Sequence, residues 1–181
     1  MAKRNVEIVI LCEDTQQDVF VRQWLESRGL NKRKFRIFKN PGGGSAEQFV
    51  RSRYADEVAE LRRLGTHRPV GRSLITMIDA DTFTVQERHD VLDESLGQAE
   101  QERRGGGEKI AILVPKRNIE TWIHFLAGED VNENDGYRKL DKASDCKADV
   151  VRFVAARPDS LLKTSAPESL QFALIEMERI F

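Results

Sequence analysis

Asp79-Ala80-Asp81 sets two carboxylates one residue apart, directly after the apolar run Ser73-Leu74-Ile75-Thr76-Met77-Ile78. Carboxylates spaced this way, in a turn leaving a buried strand, can share one hard cation through oxygen. An earlier apolar run, Val6 to Cys12, ends in a second acid pair, Glu13-Asp14. Negative charges crowded at one edge repel one another and require a compensating cation, for which Mg²⁺ or Mn²⁺ is the expected cofactor. With a metal holding phosphate oxygens, a neighbouring carboxylate such as Glu13 can act as general acid or base. The simpler reading of an acid after a strand is that it starts a helix well. Thr84 already supplies that start after Asp81, so the simpler reading explains less here.

Lys116 and Arg117 follow a further apolar run that ends at Val114-Pro115, where they can hold a phosphate or balance the acids. Glu120 falls in the first turn of the next helix, a position that the helix dipole favours for any acid. It is also a candidate metal ligand, and His124 lies one turn further on, although a single histidine at that spacing is more often a surface residue. Gly42-Gly43-Gly44-Ser45 precedes a helix, so Gly43, Gly44 and Ser45 can present N–H groups to a phosphate. The loop lacks the Gly-Lys-Ser/Thr ending of a nucleotide-triphosphate loop. A flexible connector is its plainer reading. No serine or cysteine nucleophile constellation is visible.

These residues need elements to bring them together. Val6 to Cys12, Phe35 to Phe38, Ser73 to Asp79 and Lys109 to Val114 read as four strands. Helices alternate with them. Thr15 with Asp18 starts the first helix, whose Val21, Trp24 and Leu25 share a face and which Gly29 closes. Ser45 with Gln48 starts a long second helix carrying Val50, Tyr54, Val58, Leu61 and Leu64. Thr84 with Glu87 forms a capping box for a third, ended by Gly105-Gly106-Gly107. Gly65 to Pro69 is a turn. Such alternation predicts right-handed crossovers and a mostly parallel sheet with helices on both faces. Sites in such sheets form beyond the carboxyl ends of the strands, which puts Glu13, Asp79 and the segment after Val114 on one edge. The remainder is helical: Asn118 to Leu126, Ala148 to Ala156, and a last helix begun by Ser165 and Glu168. Gly128 to Asp141 reads as a mobile loop.

The chain has 181 residues, 40% hydrophobic and 33% charged, with a net charge of −1. That suits one soluble globular unit and excludes a global basic field for nucleic acid. Any such attraction must be local, and Arg28 to Lys39, which is rich in Lys and Arg and has no acid, is the candidate patch. A solvated loop face is its equal rival. The cysteines, Cys12 and Cys146, exclude a disulfide framework and suggest a reducing cytoplasm. No apolar stretch is long enough to span a bilayer, and the N-terminus carries no signal-peptide pattern.

At these residues the sequence resembles the Toprim family, the catalytic domain of topoisomerases, primases and the nucleases of the overcoming-lysogenization-defect group. That family has a glutamate after the first strand, matched by Glu13, and an Asp-x-Asp after a later core strand, matched by Asp79 and Asp81. Small stand-alone bacterial members are the nearest likeness. They share the Phe-Val-Arg of Phe20-Val21-Arg22, the Pro-x-x-x-Ile-Glu-x-Trp of Pro115 to Trp122, and a final helix begun like Pro167-Glu168-Ser169-Leu170. The resemblance implies a Toprim-like α/β core over 1–127 with a helical extension over 128–181. It implies Mg²⁺ on Asp79 and Asp81, Glu13 as general acid or base, and cleavage or transfer of phosphodiesters. The expected partners are nucleic acid, DNA ahead of RNA, together with an ATPase in anti-phage defence and a second copy of the chain. No membrane is expected. Asp14 departs from the pattern, standing where the family usually has glycine, and either alters the turn or adds a ligand. Two rivals stand beside this reading: a receiver-like Mg²⁺-binding module phosphorylated on Asp79, and a non-catalytic interaction subunit.

Overall fold

A computed structural model describes residues 7–65 and 71–181. Val6 and the 66–69 part of the expected turn lie outside the described residues. Four strands form one all-parallel sheet: β1 (Ile8–Cys12), β2 (Phe35–Lys39), β3 (Ser73–Met77) and β4 (Ile110–Leu113), in the order β2-β1-β3-β4. β1 and β3 are central and buried along their whole length, which is why both read as unbroken apolar runs. Their register aligns Leu11 with Thr76. Both chains therefore leave the sheet at the same level, and Glu13 and Asp79 emerge side by side.

Helices α1 (Thr15–Ser27), α2 (Ala46–Gly65) and α3 (Val85–Gln98) alternate with the strands. They are followed by α4 (Ile119–Leu126), α5 (Lys147–Ala155), the short α6 (Leu161–Thr164) and α7 (Glu168–Glu178). Alternate strand residues feed two apolar cores, as period-two side chains must. Ile8, Ile10, Ile75, Met77, Ala111 and Leu113 pack with Trp24, Trp122, Phe153 and Met177 from the helices of one face. Val9, Leu11, Leu74, Ile110 and Ile112 pack on the other face with Val50, Tyr54, Val58 and Leu92 of α2 and α3. The carboxy-terminal helices thus share the core of the strands.

Several local expectations are corrected. Asp14, not Thr15, caps α1: its side chain accepts from the Gln17 N–H at 3.0 Å. The helix can begin one residue earlier because Asp14 leaves the strand with extended backbone. α3 ends at Gln98, well before the triple glycine, with Glu100 at φ 55° taking the left-handed position beyond the helix. The following segment is held by Arg62, which donates to the Glu102 carbonyl at 3.0 Å and to Glu108 at 2.7 Å. Ser165 does not cap α7: Pro167 occupies the cap position, and Ser165, which ends α6, donates its hydroxyl to the carbonyl of Leu161 at the start of that helix. The segment Gly128 to Asp141 is tied down, since Glu133 accepts from both the N–H and the hydroxyl of Ser169, and His124 contacts the Arg138 carbonyl at 2.8 Å.

β4 is an edge strand, and an open edge invites pairing with another chain. Here it is covered. Arg104 donates to the Ile110 carbonyl at 2.9 Å, the Ile112 N–H donates to Glu176 of α7 at 2.8 Å, and Arg104 and Glu176 pair with each other. No described helix is long and apolar enough to cross a membrane.

Candidate functional site

The site is assembled where the chain runs past the ends of β1, β3 and β4. Beyond β3 and β4 the two segments stay zipped: Ala80 N–H donates to the Pro115 carbonyl at 2.9 Å and Asp81 N–H to the Arg117 carbonyl at 2.8 Å. Ala80 is fully buried, so Asp79 and Asp81 flank an anchored residue. Asp81 and Arg117 both adopt left-handed backbone, at φ 52° and 73°. That conformation suits aspartate better than arginine and costs about 1–2 kcal/mol for a residue with a Cβ. The cost is borne at the turn that carries the charged residues.

Glu13, Asp79 and Gln17 form its centre. One Glu13 oxygen accepts the Asp79 backbone N–H at 2.7 Å and the Gln17 amide at 3.0 Å. The same amide nitrogen donates to Asp79 Oδ1 at 2.9 Å, while the amide oxygen accepts the Glu13 N–H at 2.9 Å. Gln17 is completely buried and Glu13 is 8% exposed. A single side chain from the first turn of α1 thus ties the ends of the two central strands. Burial raises the Glu13 carboxyl above its ordinary range, against the Asp79 N–H and Gln17, which favour its ionised form. Asp79 is pushed well up, by burial first and then by Glu13, Glu120 and Asp14. Four acids therefore act on one another at this edge.

Glu120, in the first turn of α4, is 2% exposed, and its Oε1 has no hydrogen-bond partner. Burial raises its carboxyl too. His124 does not turn toward it as a joint ligand, because Nδ1 meets Glu129 and Nε2 meets the Arg138 carbonyl, each at 2.8 Å. Asp14 reaches the site's field while serving as helix cap, and Lys139 lies 3.8 Å from its second oxygen.

The basic residues divide. Lys116 donates its Nζ to the Phe83 carbonyl at 2.6 Å, and its N–H donates to Ser169 Oγ at 3.1 Å. It lines a cavity of about 730 Å³ between α3 and α7, beside His89, Arg104 and Phe172. Arg117 forms no ion pair among the described residues. Gly43 and Gly44 lie in an exposed turn after β2, braced by Asn40, and Ser45 Oγ accepts the Gln48 N–H at 3.2 Å as the start of α2. The Arg28 to Lys39 patch is largely paired within the fold. Arg28 binds Glu178 and covers Phe181, Lys34 binds Glu7, and Lys39 reaches Thr15 and Asp18. Cys12 and Cys146 are both buried free thiols, and burial raises each.

Two residues of the site carry no motif. Gln17 is one. The other is Arg88 of α3, 4% exposed, which donates to Glu47 at 2.9 Å and to Asp81 Oδ2 at 3.3 Å. Neither has a signal in the sequence, because each meets its partners only across the fold.

The donor set matches a hard divalent cation in chemistry: every candidate ligand is a carboxylate oxygen, and one of them, on Glu120, is buried without a partner. It is not a finished cage. No group of three His, Cys, Asp or Glu side chains converges on one point among the described residues. Asp81 is held by Arg88 instead. No family model, curated protein or solved structure matches the chain.

Proposed function

We propose that the chain is a Toprim-type, Mg²⁺-dependent enzyme that cleaves or transfers nucleic acid phosphodiesters. The observation that carries the reading is the joining of Glu13 and Asp79 through Gln17 at the shared exit of the two central strands. Crowded acids whose ionisation is opposed by burial gain most from a cation. Asp79 and Asp81 would hold it, with Asp14 and Glu120 within the same field. When bound, Mg²⁺ would supply charge neutralisation at phosphate oxygens and a more acidic water.

The chain's own groups supply the rest. Glu13, with its carboxyl raised by burial, holds a proton closer to neutral pH than an exposed glutamate does, which suits it to pass one to or from a reacting oxygen. Arg117, without an acid partner among the described residues, meets the phosphate, while Lys116 fixes the turn through Phe83. DNA is the first substrate class to try, RNA the second, and Gly43, Gly44 and Ser45 are proposed to contact its phosphates. A partner ATPase and a second copy of the chain belong to the same proposal. The receiver-like rival needs Asp79 open to a phosphodonor, whereas here one of its two oxygens, Oδ1, accepts from Gln17.

Cleavage of plasmid, single-stranded DNA and RNA with Mn²⁺ tests the reading. Asp79→Ala and Glu13→Ala should each lower the rate by about 100-fold or more. Activity unaffected by both substitutions would refute it.

A further inference from the structure

We infer that Arg88 is the built-in countercharge of this edge, a positioning residue whose guanidinium holds Asp81 and must release it before a divalent cation can use that carboxylate. The inference rests on the metal reading above. Arg88 rises from the first turns of α3 and its side chain is 5% exposed, whereas the Asp81 side chain is 59% exposed. The arginine is therefore the fixed partner and the aspartate the one with room to move. Three contacts fix Arg88 without Asp81: the α3 backbone, Glu47 at 2.9 Å, and the Phe83 ring 4.6 Å from its Cζ. Buried arginine is retained where it is paired. Glu47 cannot neutralise it fully, because Glu47 is also bound by Arg51 at 3.2 Å. The remaining positive charge falls on Asp81, and it reaches Glu13, whose ionised form Arg88 also favours. Arg88 Nε is buried with no partner.

This arrangement accounts for one ligand missing from the edge: Asp81, one residue from Asp79 after Ala80, faces Arg88 rather than the other acids. Asp81 is turned to the guanidinium, at 3.3 Å, and the cation and Arg88 compete for the same carboxylate. While Asp81 Oδ2 faces Arg88, that oxygen is not offered to the metal. The site would load cation weakly when free, and any contact that draws Asp81 off Arg88 would tighten it.

Mn²⁺ titration followed by electron paramagnetic resonance tests this on the full chain and four variants, each checked for cooperative unfolding. Arg88→Met should tighten Mn²⁺ binding by about tenfold, since a close competing charge is removed. Arg88→Lys keeps the charge but not the fork that reaches Glu47 and Asp81 together, and should tighten binding by less than Arg88→Met does. Glu47→Gln should weaken binding, because the whole charge of Arg88 then falls on Asp81. Arg51→Gln changes net charge as much as Arg88→Met but acts only by freeing Glu47 to neutralise Arg88, and should tighten binding by less than about threefold. General damage to the fold weakens every variant and cannot produce this pattern of opposite signs. Binding to wild type with no tightening in Arg88→Met overturns the inference and leaves the metal reading standing. Equal tightening in Arg51→Gln or Arg88→Lys also overturns it. If Arg88→Met does not fold, unchanged or tighter binding in Glu47→Gln overturns it. Absence of Mn²⁺ binding in all five proteins overturns the metal reading itself.

Discussion

Replacing Gln17 by methionine removes the amide that joins the two central strands while keeping a side chain of similar length. Three hydrogen bonds are lost: two from the amide nitrogen to Glu13 and Asp79, at 3.0 and 2.9 Å, and one that satisfies the Glu13 N–H. A hydrogen bond to a charged group is worth about 1.5–3 kcal/mol, and a buried N–H left unpaired costs about 1–3 kcal/mol. The three share one side chain and do not add in full. A loss of about 3–5 kcal/mol is expected at pH 7, a large share of the roughly 5–15 kcal/mol typical of a domain. Urea unfolding reads it as a lower midpoint with an unchanged slope.

The pH dependence of that loss has a definite sign. Gln17 favours the ionised forms of Glu13 and Asp79, so its removal raises both carboxyls further. A carboxyl raised in the folded state costs nothing below its unfolded value, a growing amount as the pH climbs from there to the folded value, and a constant amount above it. The ordinary values are 4.5 for Glu13 and 3.8 for Asp79. The deficit of Gln17→Met should therefore be largest at neutral pH and shrink as the pH falls toward those values. The part due to the unpaired Glu13 N–H should persist in acid. A loss under about 1 kcal/mol at pH 7, or one that grows in acid, would refute the argument that Gln17 clamps two carboxylates.

Other changes should be equally readable. Asp79→Asn removes one charge from the crowded edge and should raise the metal-free melting temperature at pH 7 by at least about 2 °C, a gain that vanishes as the pH falls below 3.8, while Mn²⁺ binding is lost. Ser169→Ala removes the acceptor for the buried Trp122 indole at 2.8 Å and for the Lys116 N–H, and should cost about 2–4 kcal/mol in urea with a shifted tryptophan emission. Glu176→Ala breaks a buried pair with Arg104 and strips the Ile112 N–H of its acceptor. It should cost about 3–5 kcal/mol and produce concentration-dependent association in sedimentation, through the uncovered β4 edge.

What the sequence discloses follows from how local each determinant is. The central strands announce themselves because both faces are covered, so β1 and β3 are apolar throughout. The Thr84–Glu87 capping box lies within one turn and was legible as it stands, both halves being formed. The ends of α3 and α7 were misplaced because contacts distant in sequence decide them. Arg62 holds the chain after α3, and the Leu161 carbonyl, at the start of a helix too short to show a period, claims the Ser165 hydroxyl. Glu13, Asp79 and Asp81 were legible as candidates because strand order alone puts them on one edge.

Their partners were not legible. Gln17 is an unremarkable polar residue in a first helical turn until β1 and β3 are in register, when it meets Asp79, 62 positions along the chain. Arg88 reads as one more charge on a helix that is charged nearly all round, and its partners come from two other segments, Glu47 from α2 and Asp81 and Phe83 from the turn after β3. A carboxylate placed after a buried strand advertises a site. The neutral donor that clamps it and the cation that competes for it carry no local pattern, because the fold, not their neighbours in the sequence, gives each its meaning. The disposition of Asp81 shows the consequence. Its spacing from Asp79 reads as a ready-made metal ligand, yet the structure turns it to Arg88. The same two residues can thus be a site or half of an ion pair, depending on a guanidinium seven positions further on.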